Sequence, residues 1–327
     1  MLSSPRSGAR GKRLDDGDIW NQYWRFDRIA SCFDGAGAGN YDECVAAGWR
    51  DWFQALPKGA RILDLCTGNG AAALIAAAAG RAGGKDFEIV AVDRAEIDPP
   101  AFVTRHADDY AAIRFVPGTD IEALPFPDAG FDAVISQYGV EYAHAGRAIP
   151  EALRMIAPGG SARFVVHAAD GAIAEGSRAI VAEADLLLGE IDLPGNAARC
   201  FAALWAVERD GGQDRADADR AFAAFQEALV LTARQVPHAR DRAMFKNSGA
   251  VLFDTFRRRG HFDLDQLLAK AGEIEGEIHA HQGRLIALIE AALDHEGAKA
   301  LAAQIGGACQ PLTNQSELIG YVVEARR

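Results

Sequence analysis

The sequence has little of several features that would assign it to a specialised class of protein. Its 327 residues contain five cysteines and no C-x-x-C pair, so neither a disulfide framework nor a zinc cluster is predicted. No apolar run approaches the ~20 residues that a membrane-spanning helix requires. Basic residues are scarce, because 34 Lys and Arg stand against 46 Asp and Glu and leave a net charge of -12. Such a surface disfavours nucleic acid, and we expect a cytoplasmic protein with small-molecule partners.

The N-terminal segment divides into a polar part and an aromatic part. Residues 1–17 are basic or small and lack the apolar stretch of a secretory signal, so we predict a disordered tail. Residues 18–56 are rich in aromatic residues and predict helices, which the glycine-rich stretch 34–40 interrupts. Because such a stretch allows movement, we expect a helical lid in which Tyr23 and Trp24 cover a ligand. Aromatic side chains that simply fill a core are the alternative.

Short apolar runs rich in β-branched residues follow this segment. They lie at 60–65, 88–93, 113–118, 131–138 and 162–168. Continuous apolar runs separated by segments of helix length are typical of parallel strands covered by helices on both faces. We therefore predict a doubly wound α/β sheet whose main part spans residues 57–170.

The second half of the chain changes its pattern. Over 171–260 the apolar spacing is helical, which predicts a helical insertion after strand five that caps the substrate. The sheet is expected to resume within 261–327, with a strand at 273–281 and a final strand at 317–327. An alanine-rich helix is expected between them. Together these elements predict seven strands.

A glycine turn joins the first predicted strand to its helix, in "LDLCTGNGAAALIAAAAG" at 63–80. Gly68 and Gly70 allow the backbone to approach a ligand closely. The turn also satisfies G-x-G-x-x-A, and Asp93 ends the second strand, where an acid can bind a ribose. A nicotinamide dinucleotide and other adenosine cofactors therefore all remain possible on these features.

Two carboxylates favour a cationic adenosine ligand over a pyrophosphate. Asp64 stands immediately before the glycine turn, where it would repel a pyrophosphate and attract a cation. Asp120 follows the third strand, in "GTDIEALPFPDAGFDAVIS", where it can accept a hydrogen bond from an adenine amino group.

At these residues the chain resembles the class I S-adenosylmethionine-dependent methyltransferases. "ARILDLCTGNG" is similar to the first motif of the family, with Cys66 where many members have the first glycine, and "VAVDR" is similar to the second. "GTDIEALPFPDAGFDAVISQYGVEY" resembles the third and fourth motifs of the small-molecule and quinone methyltransferases. The resemblance implies a Rossmann-like sheet and covers 58–168 closely, but it does not extend to the helical insertion.

The resemblance also implies a role for each matching residue. Asp64 would hold the amino group of S-adenosylmethionine, and Asp93 would bind both ribose hydroxyls. The remaining contacts implied for the cofactor come from Gly68, Gly70, Arg94, Asp120, Ile121 and Gln137. Gln137 and Tyr138 would face the sulfonium and the substrate.

The predicted function is transfer of a methyl group to an oxygen, nitrogen or carbon atom of a small aromatic metabolite. Much of the rate can come from positioning, so a general base is optional. His167, at the end of strand five, is the candidate base, with a merely structural histidine as the alternative; Glu141 and His144 are expected at the surface. We expect no metal at His279 and His281. The alternatives are an NAD(P)-dependent oxidoreductase and a non-catalytic scaffold or sensor, and a homodimer is plausible.

Overall fold

The computed structural model describes residues 16–31, 40–209 and 214–327. The predicted tail lies outside these residues apart from its last two positions, and so does nearly all of the glycine-rich stretch 34–40. The described residues form two compact units. One unit contains the residues up to Ala174 together with Ala291–Arg327, and the other is Glu175–Glu290.

Seven strands form a single sheet in the first unit. They are β1 (Arg61–Leu65), β2 (Glu88–Val92), β3 (Ile113–Val116), β4 (Phe131–Gln137), β5 (Ile156–His167), β6 (Ala308–Asn314) and β7 (Glu317–Arg326). Their order is β3-β2-β1-β4-β5-β7-β6. Strands β1 to β5 are parallel, and β7 is antiparallel to both of its neighbours. The predicted doubly wound, seven-stranded Rossmann-like sheet is confirmed.

Helices flank this sheet on both faces. The first unit contains α1 (Asp16–Tyr23), α2 (Glu43–Ala55), α3 (Ala71–Gly83), α4 (Pro99–Phe102), α5 (Ala107–Tyr110), α6 (Ala145–Met155) and α12 (His295–Gln304). Alternation along β1 assigns its side chains to two cores: Ile62 packs with Trp49 and Phe53 of α2, whereas Leu63 packs with Met155 of α6. Each of these large side chains stabilises the fold by roughly 1.5–3 kcal/mol when it is fully buried.

The second unit is helical throughout its regular structure. It contains most of α7 (Ala172–Asp185), then α8 (Leu193–Glu208), α9 (Arg215–Gln235), α10 (Arg242–Arg257) and most of α11 (Leu264–Ala291). Phe201, Phe225 and Phe245 are almost completely buried within it. Its role as a substrate cap stays a prediction. Over the described ranges, no helix has both the length and the apolar character needed to cross a membrane.

The strand predicted at 273–281 is wrong, because these residues belong to the helix α11. Residues 273–278 alternate between glutamate and other residues, which favoured the strand. The buried positions of the helix are Leu267, Ala271, Ile274 and Ile278, whose spacing of four, three and four residues is helical. The helical unit consequently extends past the predicted boundary at 260, as far as Glu290.

The sixth strand lies instead at the edge of the sheet. β6 contains Pro311 and polar residues, a composition that argues against a central strand but suits an edge. The helix predicted between the last two strands is interrupted before α12. There Asp294 accepts a hydrogen bond from the backbone N–H of Gly297, at 2.7 Å, and begins α12 as its N-cap.

Candidate functional site

The candidate site lies at the carboxyl ends of the central strands, where the strand order reverses. β1 pairs with β2 on one side and with β4 on the other, so the connections that leave these strands diverge. Ligands of open α/β sheets bind in the crevice formed at such a reversal. The turn between β1 and α3, residues 66–70, lies at this point.

The geometry of this turn requires glycine at two positions. Gly68 has φ +53° and Gly70 has φ +83°, both in the left-handed region that glycine adopts without a steric penalty. A Cβ atom at position 70 would lie 3.0 Å from Cζ of Phe115, and one at position 68 would lie 2.6 Å from Cε2 of Trp24. Each glycine is therefore needed for two reasons: it adopts a left-handed backbone conformation, and it leaves space for an aromatic ring that packs against it.

Asp64 is buried immediately below the turn. Its side chain is on β1, and only 1% of the residue is exposed. The hydroxyl of Thr67 donates to Asp64 Oδ2 at 2.6 Å. Burial nevertheless raises the pKa of the Asp64 carboxyl to about 7, with a further contribution from the negative charge of Asp93. The ionised form of Asp64 is therefore destabilised unless a cation lies beside it.

Asp93 connects the end of β2 to the glycine turn. Its Oδ2 accepts a hydrogen bond from the backbone N–H of Gly68, and its Oδ1 accepts one from Ala95, both at 2.8 Å. Burial raises the pKa of Asp93, and these two N–H groups oppose the increase. A carboxylate has about four lone-pair positions, so Asp93 retains capacity for the hydroxyl groups of a ligand.

The other residues implied for an adenine surround the end of β3. The backbone N–H of Thr119 donates to the carbonyl of Asp93 at 2.8 Å, which joins the β3 loop to the end of β2. Asp120 is exposed and accepts from the backbone N–H of Glu122 at 2.9 Å, whereas Ile121 is buried. Arg94 is exposed at the end of β2. The structure thus brings the predicted adenine-binding residues to one edge of the sheet.

Several acidic residues lie near the thiol of Cys66 in this turn. The pKa of its thiol is raised well above the usual value, first by burial and then by four carboxylates. In decreasing order of effect, these carboxylates are Asp93, Glu141, Asp64 and Asp120. They come from the ends of three different strands and from the segment after β4. The turn is therefore an environment suited to a cation.

The segment that begins with α1 lies directly against the turn. The side-chain amide of Asn69 donates to the carbonyl of Trp24 at 3.1 Å and to that of Arg28 at 2.7 Å. Trp24 is 8% exposed and packs with Ala95 and Ile97, close to the Asp93 carboxylate. Its ring also contacts Tyr23 edge to face, with centroids 4.8 Å apart. These contacts position Tyr23 and Trp24 near the turn; their role as a lid stays a prediction.

Gln137 lies at the end of β4 on the same face of the sheet as Asp64. Asp64 pairs with Ile135, and side chains two residues apart on a strand share a face, so Gln137 projects to the side of Asp64. The indole N–H of Trp49 donates to Gln137 Oε1. No described residue accepts a hydrogen bond from the buried Nε2 atom of Gln137.

His167 forms a buried pair with Glu141. Nδ1 of His167 lies 2.7 Å from Oε1 of Glu141, and both side chains are fully buried. The ring of Tyr138 stacks on His167 with centroids 4.1 Å apart. The expectation of an exposed Glu141 is therefore wrong, because the carboxylate turns inward from a short 3₁₀ turn to meet the imidazole. His144, by contrast, is exposed as expected.

The two histidines considered for a metal do not share a face. Both His279 and His281 lie on α11, where a separation of two residues directs side chains to opposite sides of the helix. Nε2 of His281 instead lies 3.1 Å from Oδ2 of Asp241. The described part of the chain contains no group of three His, Cys, Asp or Glu residues that could hold a metal.

Sequence reasoning missed several polar partners of the site. Thr67 and Asn69 lie inside the recognised turn, so their position in the motif was a usable signal. Trp49 and Gln137 are 88 residues apart, and no local sequence pattern indicates that they are in contact. The burial of Glu141 likewise depends on the folded position of β5.

Comparisons with known proteins agree on one region of the chain. Residues 62–160 match the methyltransferase domain family. The chain is 35% identical over 117 residues to the 2-phytyl-1,4-naphtoquinone methyltransferase of Thermosynechococcus vestitus, a match that covers 35% of this chain and 49% of that protein. It is 43% identical over 110 residues to the demethylmenaquinone methyltransferase of Thermus thermophilus, covering 32% and 46% respectively. The chain thus spans about half the length of the curated relatives it matches.

A similarity to solved structures accompanies these matches. The YcgJ protein from Bacillus subtilis is 24% identical, with a TM-score of 0.32, and the match covers 44% of this chain and 58% of that one. The domain match and the two relatives favour the methyltransferase interpretation and lend no support to a nicotinamide-dependent oxidoreductase. Residues 62–160 are thus similar to methyltransferase domains, and the strand order and the acidic glycine turn lie within this matched region.

Proposed function

We propose that this protein transfers a methyl group from S-adenosylmethionine to a small aromatic metabolite. The observation that carries the proposal is the acidic glycine turn, where Asp64 is buried on β1 and Asp93 accepts a hydrogen bond from the backbone N–H of Gly68. S-adenosylmethionine carries an ammonium and a sulfonium, so these carboxylates attract both of its cationic centres. A pyrophosphate in the same position would be repelled.

The residues of the turn fit this cofactor. Asp64 would bind its ammonium group, and Gly68 and Gly70 provide a surface without side chains for its methionine portion. Asp93 would bind the ribose hydroxyls, and Asp120 and Ile121 the adenine. When bound, the cofactor supplies an activated methyl group, and the electron pair of the broken methyl–sulfur bond stays on the sulfur.

The pair of Glu141 and His167 is suited to accept a proton from the acceptor. If Nδ1–H of His167 donates to Glu141, Nε2 is the basic position of the ring. A carboxylate at 2.7 Å stabilises the imidazolium that forms when a proton arrives. Tyr138, stacked on the imidazole, holds the ring orientation and offers an aromatic surface to the acceptor. We therefore assign His167 as the general base, with Tyr138 beside the acceptor.

Calorimetry with S-adenosylhomocysteine, the demethylated cofactor, tests the proposal. The full chain should bind it, and Asp93→Ala should weaken binding at least tenfold, because the ribose contacts and the support of the turn are both lost. Asp98→Ala is the matched control, since Asp98 is exposed and its side chain makes no capping bond. Absence of binding would sink the proposal, and so would enhanced fluorescence of a reduced nicotinamide dinucleotide on addition of the protein.

The wider setting follows from composition and surface. We propose a cytoplasmic enzyme that does not bind nucleic acid, supported by the net charge of -12 and the absence of a C-x-x-C pair. We also propose a homodimer, supported by exposed apolar side chains of the helical unit, among them Phe253 and Val230. Sedimentation at micromolar concentration should give twice the mass of one chain, and Phe253→Ser should lower the apparent mass.

A further inference from the structure

The orientation of the Gln137 amide is determined by its partner. An indole N–H can only donate a hydrogen bond, so the amide must turn its oxygen, Oε1, towards Trp49. Trp49 is fully buried, stacks on Phe53 with centroids 5.4 Å apart, and lies beneath the guanidinium of Arg163. Because the indole cannot move away, the NH₂ group of Gln137 is fixed on the opposite side of the amide.

This NH₂ group has no acceptor among the residues that the structure describes. Gln137 is 7% exposed, and the described residues provide no hydrogen-bond partner for its Nε2 atom. A buried donor left unpaired costs about 1–3 kcal/mol. A ligand atom with a lone pair would remove that cost, so the site is prepared for a hydrogen-bond acceptor.

The surroundings determine which acceptor fits. Gln137 pairs with Val165 across β4 and β5, and His167 follows two residues later on the same face. The acceptor atom therefore lies beside the proposed base. An N–H donor does not favour a sulfonium or an ammonium, so we place the Gln137 amide towards the methyl acceptor and not towards the sulfonium. The acidic residues near the turn disfavour an anionic methyl acceptor, so a neutral oxygen fits best.

We propose that Gln137 determines the specificity of the enzyme by donating a hydrogen bond to a hydroxyl oxygen of the methyl acceptor. The acceptor is accordingly a hydroxylated aromatic ring and not an aromatic amine. The hydroxyl accepts from Gln137 and directs its own proton towards His167. This inference rests on the proposed function, because it assigns a partner to the acceptor side of the same site.

Three bicyclic probes of the same shape test the inference. They are 1-naphthol, 1-naphthylamine and naphthalene, titrated by calorimetry into the full chain saturated with S-adenosylhomocysteine. The wild-type protein should bind 1-naphthol at least tenfold more tightly than either of the other probes. Equal affinities for 1-naphthol and 1-naphthylamine, or no binding of 1-naphthol to protein that has bound the demethylated cofactor, would overturn the inference.

The variant Gln137→Met separates the possible roles of the amide. Methionine has a similar length but donates no hydrogen bond, so affinity for 1-naphthol should fall about tenfold while affinity for S-adenosylhomocysteine changes less than twofold. Gln54→Met, at an exposed position of α2, should change neither. Unchanged affinity for 1-naphthol would mean that the amide holds only a buried water. A large loss of S-adenosylhomocysteine affinity would assign the amide to the cofactor instead, and either result contradicts the inference. Failure of the wild-type protein to bind S-adenosylhomocysteine would count against the proposed function itself.

Discussion

Trp24 occupies the space that the first side-chain carbon of any other residue would need at Gly68. A Cβ placed there would lie 2.6 Å from Cε2 of the indole, closer than real Cβ contacts. The contact joins the α1 segment to the turn that is proposed to hold the methionine portion of the cofactor. Two predictions depend on this pair.

Gly68→Ala should destabilise the protein more than a left-handed backbone alone explains. Alanine in that conformation costs about 1–2 kcal/mol, and the clash with Trp24 adds to it. Gly84→Ala is the matched control, because Gly84 has φ +58° and no atom lies within 4 Å of the place that its Cβ would occupy. Denaturant unfolding should show a larger decrease in the free energy of unfolding for Gly68→Ala than for Gly84→Ala. In a double-mutant cycle, Trp24→Ala should remove the extra destabilisation caused by Gly68→Ala. Equal losses at both glycines would contradict the predicted clash.

Trp24 should also report cofactor binding through its fluorescence. A ligand against Gly68 changes the polarity around the indole, so saturation with S-adenosylhomocysteine should change the tryptophan emission. Trp24→Phe should remove most of that change. Trp205→Phe, in the helical unit, should leave it intact. An undiminished response in Trp24→Phe would show that the indole is remote from the ligand.

Asp64 should make cofactor affinity depend on pH near neutrality. The pKa of its carboxyl is about 7 in the protein without ligand, and a bound ammonium favours the ionised form. Binding below pH 7 must therefore displace a proton, and affinity for S-adenosylhomocysteine should fall up to about tenfold per pH unit as the pH decreases. Calorimetry between pH 8 and pH 5.5 measures this slope. Asp64→Asn should bind weakly at pH 8 and show a much flatter profile.

The same carboxyl should also make the stability of the fold depend on pH. Whereas cofactor affinity rises with pH, the contribution of Asp64 to stability should fall. Its pKa in the folded protein is raised above the unfolded value of about 3.9, so it stabilises the protonated folded state at low pH. That stabilisation should be lost as the pH rises from about 4 through 7. The free energy of unfolding of the wild type, measured relative to Asp64→Asn, should decrease over this range. An increase would show that a bound cation already neutralises Asp64 in the purified protein.

Phe225 should be essential for the stability of the helical unit. It is fully buried and contacts Phe201 edge to face with centroids 6.0 Å apart. Phe225→Ala should cost about 3–5 kcal/mol through lost burial and the cavity it leaves. Gln226→Ala, at an exposed position of the same helix, should change stability by less than about 1 kcal/mol. Thermal unfolding of the two variants gives the comparison.

Much of the sheet could be predicted because its signal is local. The five parallel strands are continuous apolar runs, and each ends near its predicted position because burial on both faces requires that composition. The last two strands differ from each other in this respect. β7 is similarly apolar and its position is predicted, but β6 is an exposed edge strand with Pro311 and carries no apolar pattern. The residues 273–281 fit both the two-residue period of a strand and the helical period. They form a helix because Ile274 and Ile278, four residues apart, are both buried on one face.

The site was predictable where it follows a motif and not where distant segments meet. Asp64, Gly68 and Asp93 lie at fixed points of a strand–turn–helix pattern, so their placement follows from topology. The contact between Trp49 and Gln137 and the pair of Glu141 and His167 arise from tertiary packing. Gln137 and His167 could be named from their strand ends, but no neighbouring residue in the sequence indicates the partner of either. Charge and hydrogen bonding at the acceptor side could therefore be recognised only in the folded protein.

The cysteine in the glycine turn restricts which residue can stand at position 139. Cys66 has φ +55°, and a Cβ at Gly139 would overlap the Cβ of Cys66. Gly139 itself has φ -144°, a value that other residues adopt, so its need for glycine comes from its surroundings. The Cβ of Cys66 is the nearest atom, and Oγ of Ser136 would lie 3.1 Å from an added Cβ. Glycine at position 66 would remove the closest of these contacts. A library that diversifies position 139 should therefore start from Cys66→Gly, because alanine at 139 should be less destabilising in that background than in the native one.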